Sequence, residues 1–142
     1  ERHDMHQSAI LYPAFAHVLL TIFVMLIMGR RRSASLRELG HTLDDIALGQ
    51  DVWTPSAKKA ARNYANQFEM PLLFHAACAM ALATKTVDAT FVALAWAFIA
   101  ARIVHTAIHL GRNSVMPRAV AFVISAGLTL AMWMTLVVRA SA

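Results

Sequence analysis

The stretch Arg102-Ile103-Val104-His105-Thr106-Ala107-Ile108-His109-Leu110-Gly111-Arg112 decides how the chain is read. It continues an apolar run, residues 89–101, that belongs in lipid. On an α-helix, residues 102, 105, 109 and 112 fall on one face, and here they are Arg, His, His and Arg. Ionisable groups at membrane depth are costly and turn toward a bundle interior or a wet cavity. That face is therefore expected to line a polar, anion-binding pocket where a helix bundle meets the cytoplasm.

The rest of the chain supplies such a bundle. Of 142 residues, 58% are hydrophobic and 15% charged, against roughly 45–50% and about 25% in soluble domains. Apolar segments cover residues 8–28, 70–83, 89–110 and 119–138. They predict one all-α domain over 1–142, an integral membrane four-helix bundle running up-down-up-down. Its spans are expected near 8–30, 57–83, 88–111 and 117–139. The second reaches the ~20 residues of a crossing only if its helix starts early, with Ser56 as N-cap and a polar first half. Pro71 should bend or loosen that helix near Glu69, Asp88 should cap the third helix, and Pro117 suits the first turn of the fourth.

Charge placement sets the expected topology. Arg30, Arg31, Arg32, Arg37, Lys58, Lys59, Arg62, Arg102, Arg112 and Arg118 gather at the ends joined by the 29–56 and 111–117 connections. Arg2, Lys85 and Arg139 remain at the opposite ends. The positive-inside rule then places both connections in the cytoplasm and both termini outside or in the lumen. Residues 1–7 offer no basic region and cleavage site, so no cleaved signal peptide is expected. The basic residues flank spans, as for contact with lipid phosphates, and give no support for nucleic-acid binding. Cys78 is the lone cysteine, which excludes a disulfide framework and a zinc-type cysteine pair; no metal site is expected. His17 and His75 read as core histidines, and a haem held by histidines is a minor alternative.

The second span carries Arg62, Asn66 and Glu69 as a stripe at i, i+4 and i+7. Glu69 stands at the hydrocarbon edge and needs a cation; Arg102 is the expected partner. Together with His105, His109, Arg112 and Arg118, and with Arg32 from the first span, this set is cationic with one offsetting acid. Arginine forks grip carboxylates, and a lone carboxylate accepts an ammonium group. A zwitterionic peptide with two carboxylates and one amine satisfies both. A nearby Arg also favours a thiolate over a thiol.

These residues carry a resemblance. Arg62-xxx-Asn66-xx-Glu69-x-Pro71, followed by Arg102-xx-His105-xxx-His109-Leu110-Gly111 and Arg118, resembles the MAPEG family, the membrane-associated proteins of eicosanoid and glutathione metabolism. The chain looks like a bacterial-type member similar to microsomal glutathione transferase and prostaglandin E synthase. The resemblance implies a homotrimer with glutathione sites at subunit interfaces. It implies glutathione as cosubstrate, bound by Arg32, Arg62, Asn66, Glu69, Arg102, His105, His109 and Arg118. Arg118 and His109 would be catalytic, and a lipophilic electrophile or hydroperoxide from the membrane would be the second substrate. His109 stands where animal members usually carry tyrosine, and Ala119 offers no hydroxyl beside Arg118. The alternative is a non-enzymatic relative binding another anion or a lipid headgroup. A small proton-coupled exporter using Glu69 is a third reading.

Overall fold

In a computed structural model, residues 7–140 are described; the polar start at residues 1–6 lies outside them. The described residues form helices and no strands. Helix α1 spans Leu11–Leu39, a 3-10 turn spans Asp44–Ile46, and helices α2 to α5 span Pro55–Asn66, Met70–Ala83, Ala89–Leu110 and Val115–Ala140. Helices α2 and α3 are two halves of one column, so the molecule is a four-column bundle.

Three helices, α1, α4 and α5, are long and apolar enough to cross a membrane. Only 17% of the apolar window of α1 is buried within the chain. The outward Leu11, Phe15, Leu19, Phe23 and Leu26 are exposed, as expected when lipid rather than water is the solvent. Inside, Phe74 of α3 stacks on Phe98 of α4 with centroids 4.2 Å apart. Around them Ile10, Ala77, Ala81, Phe91, Ala95, Met132 and Leu136 form one core. Cys78 belongs to this core as a buried packing residue.

Several boundaries differ from expectation. Helix α1 does not stop at the three arginines but continues to Leu39, where Gly40 closes it at φ 69°. Arginine is a good helix former, so the helix leaves the apolar layer without ending. The cap of α2 is Thr54, whose hydroxyl accepts from the Ala57 amide, and not Ser56. Pro55 takes the first helical position, where its missing N–H costs nothing and its φ is already helical, so the cap moves to the residue before it. Helix α5 begins at Val115 with Pro117 still in its first turn. Asp88 caps α4 as expected, accepting from the Phe91 amide at 2.8 Å.

The break in the second column lies at residues 67–69. Pro71 has no N–H for the Gln67 carbonyl, and its ring crowds that group. The Gln67 and Phe68 amides therefore turn back to Tyr64 and Ala65, three residues earlier. Glu69 leaves helical geometry altogether, at φ −82° and ψ −99°. The loosening expected near Glu69 is thus a full interruption.

Basic side chains close the exposed carbonyl ends. Arg31 Nη2 donates to the Leu110 carbonyl at 3.1 Å, and Lys59 Nζ donates to Gly111 at 3.0 Å. Cations are favoured at the negative end of the helix dipole. They tie α1 and α2 to the end of α4, and so fix where its histidine face points.

Candidate functional site

The interrupted column and the histidine face of α4 meet α5 at a cavity of about 430 Å3. It is lined by Arg62, Asn66 and Glu69 from the second column, His105 and His109 from α4, and Arg118 from α5. Ala65, Ala119, Phe122 and Val123 complete the wall. Volumes of 300–1,000 Å3 are typical of small-ligand sites. Six of the eight expected binding residues therefore converge.

The other two sit elsewhere. Arg102 is fully buried behind the cavity. Its Nη2 donates to the Asn66 carbonyl at 3.0 Å, while Nε and Nη1 have no partner. Asn66 is the last residue of α2, and the break leaves its carbonyl without the amide four residues on. Arg102 thus caps a helix end created inside the bundle. Among the described residues no ion pair joins it to Glu69, contrary to expectation; the broken backbone turns Glu69 outward, and it is exposed. Arg32 lies against the Trp53 ring, 4.8 Å from its centroid, and does not line the cavity. Arg112, past the end of α4, is exposed and also outside the lining.

Arg118 is held at two points. Its guanidinium donates to Asn113 Oδ1, and its carbonyl lies 3.2 Å from His105 Nδ1. A carbonyl can only accept, so Nδ1 carries the hydrogen and Nε2 of the neutral ring is left as an acceptor. That Nε2 has no partner within the chain. His109 meets His105 edge-on, centroids 5.7 Å apart, and its Nδ1 is likewise unpaired. Asn113 adopts φ 56°, a left-handed conformation that Asn tolerates better than most residues. Arg62 and Arg118 outnumber the one carboxylate, so the cavity is cationic with an acid at one edge. Beside it, Phe122 and the exposed Val123 present apolar surface.

A buried polar layer supports this wall. Gln67 Nε2 donates to Asn63 Oδ1 at 3.0 Å and to Thr106 Oγ1 at 3.3 Å. Asn63 and Gln67 stand at i, i+4, one position round from the Arg62–Asn66 stripe. That spacing was the available signal, but on a polar helix it reads equally as a wetted face.

Among the described residues, no group of three or more His, Cys, Asp or Glu is placed to hold a metal ion. The fold and cavity define a class: an integral membrane helical bundle with a cationic site open beside an apolar wall. The family model of the MAPEG family matches residues 10–138, and the chain belongs to that family. No curated protein and no solved structure matches it.

Proposed function

We propose that the cavity binds glutathione and uses its sulfur as a thiolate against a lipophilic electrophile or hydroperoxide. The observation that carries this reading is the convergence of Arg62, Arg118, His105 and His109 with the single acid Glu69 in one cavity. The peptide's carboxylates lie on the arginines and its amine lies near Glu69. Arg118, fixed by Asn113, faces the sulfur and stabilises its negative charge. The unpaired acceptor His105 Nε2 takes a hydrogen bond from the ligand, and His109 stands beside the sulfur in the role a phenol would fill. The thiolate forms a bond to the electrophilic centre, and the leaving group departs with the bonding pair, or the adduct takes up a proton. The second substrate approaches along Phe122 and Val123 from the bilayer.

In this reading the loop-bearing end of the bundle is cytoplasmic, where glutathione is supplied, and both termini face the opposite side. The protein works as a homotrimer, and Arg32 is not needed in the site of its own chain. Membership of the MAPEG family supports this chemistry class.

The test is equilibrium binding of labelled glutathione to purified protein, with Arg118→Ala and Glu69→Ala as variants. Saturable binding that either variant abolishes supports the reading; no binding at millimolar glutathione removes it. Turnover of a generic aryl halide then separates an enzyme from a binding protein that uses the same arginines for another anion.

A further inference from the structure

The outer face of α1 carries a second group of cations, away from the histidine cavity. No Asp, Glu, Lys or Arg occurs at residues 11–29, so Arg30 is the first charge past the apolar layer. Arg30, Ser33 and Arg37 follow at i, i+3 and i+7, which puts them on one stripe of the helix. Seven residues at 1.5 Å each set the two arginines roughly 10 Å apart along the axis. Both are exposed, and among the described residues neither has a hydrogen bond or an ion pair. Arg31, beside them, is tied by Nη2 to the Leu110 carbonyl at 3.1 Å, which holds its charge in place.

These arginines rim a cavity of about 670 Å3 whose wall toward the bilayer core is Met25 and Leu26, both exposed. No Asp or Glu lines it. Its floor is open at Gly29, where an added side chain would meet nothing within 4 Å. The cavity is thus apolar at the depth of acyl chains and cationic at the depth of phosphates. A water-soluble anion would account for the arginines but leave the apolar wall bare.

Arginine forks grip phosphate oxygens in pairs, and basic pockets beside membrane helices take anionic headgroups. Three guanidinium charges face no acid here, so a lipid with one phosphate would leave two of them uncompensated. We propose that this groove binds a phospholipid with two phosphates in one headgroup. One phosphate lies on Arg30 and Ser33 and the other on Arg37, with an acyl chain along Met25 and Leu26. The fixed charge of Arg31 holds the headgroup from the side. The site shares no residue with the histidine cavity and does not rest on the glutathione reading.

The experiment is native mass spectrometry of the full-length protein in a neutral detergent. It is titrated with diphosphatidylglycerol, or with twice the concentration of phosphatidylglycerol so that phosphate is matched. Saturable retention of one diphosphatidylglycerol per chain is expected, about fivefold tighter than phosphatidylglycerol. Arg30→Gln and Arg37→Gln should each weaken it about fivefold, the value of one arginine near an anionic surface. Both side chains are exposed, so neither change touches the core. Gly29→Leu fills the groove and should abolish retention, and leucine favours helix over glycine. Arg118→Ala should leave retention unchanged. Equal retention of the two lipids at matched phosphate would mean attraction to charge alone and would overturn the proposal. So would unchanged retention in Gly29→Leu, loss in Arg118→Ala, or displacement of the lipid by its deacylated headgroup. Dissociation of the copies in Gly29→Leu would give this face to a second copy of the chain and overturn it too.

Discussion

Arg118 is worth little as a bare charge and a good deal as a positioned one. Its guanidinium is tied to Asn113, whose left-handed backbone puts the amide where the arginine needs it. Asn113→Gly keeps the backbone conformation and removes the tether. It should weaken glutathione binding by about 1 kcal/mol, one hydrogen bond, without lowering the thermal midpoint. Isothermal calorimetry beside a melting curve checks both. Arg102 is the opposite case, a buried cation with two unpaired nitrogens. Removing such a charge for an apolar side chain is often neutral or stabilising. Arg102→Met should leave the thermal midpoint unchanged or raised while glutathione affinity falls several-fold, because the Asn66 carbonyl loses its cap and the cavity loses a positive neighbour. A fall in midpoint together with unchanged affinity would contradict this account.

At the scale of elements, the second column is where sequence and structure part. The stripe of Arg62, Asn66 and Glu69 is legible because helical periodicity places it on one face, and the cavity keeps all three. The Glu69–Arg102 pair was legible only as a demand for a partner. Spacing arithmetic assumes a continuous helix, and Pro71, two residues after Glu69, breaks that continuity at Glu69 itself. Pro71→Ala restores the missing amide and should let the helix run through residues 67–69. Glu69 then rotates off the cavity edge, and glutathione affinity should drop about tenfold while helical content holds or rises, as read by circular dichroism beside the binding curve. Asp88 was fully legible: an acid before an apolar helix is a cap. Arg139 chiefly, and the Phe91 amide after it, hold its carboxyl below the usual carboxylate range. A depressed pKa contributes stability above about pH 4, where the unfolded carboxyl is already charged, and loses it as the folded group protonates on further acidification. Asp88→Asn keeps the cap but should flatten the acid limb of the melting profile, whereas Asp88→Ala should cost about 1 kcal/mol at neutral pH.

At the scale of the whole molecule, composition alone announced the membrane bundle, and the run of arginines announced which ends lie together. The length of α1 was not readable, because nothing in Arg30–Arg32 forbids helix and periodicity does not mark where a helix leaves the apolar layer. Nor was the layer of Asn63, Gln67 and Thr106, since polar residues facing a neighbour look the same in sequence as polar residues facing water. That layer has a bearing on biosynthesis. The second column is half polar and broken in the middle, and its apolar half, Met70–Ala83, has 14 residues, short of the ~20 of a crossing. The buried Gln67 amide bonds to Thr106, and the Asn66 carbonyl accepts from Arg102, both in the next helix. A nascent chain should therefore insert its first helix alone but hold the second only once the third has emerged. A fragment of residues 1–87 should leave a cysteine at position 85, in a Cys78→Ser background, on the same side as one at position 50. A fragment of residues 1–114 should separate them, as reported by a membrane-impermeant thiol reagent.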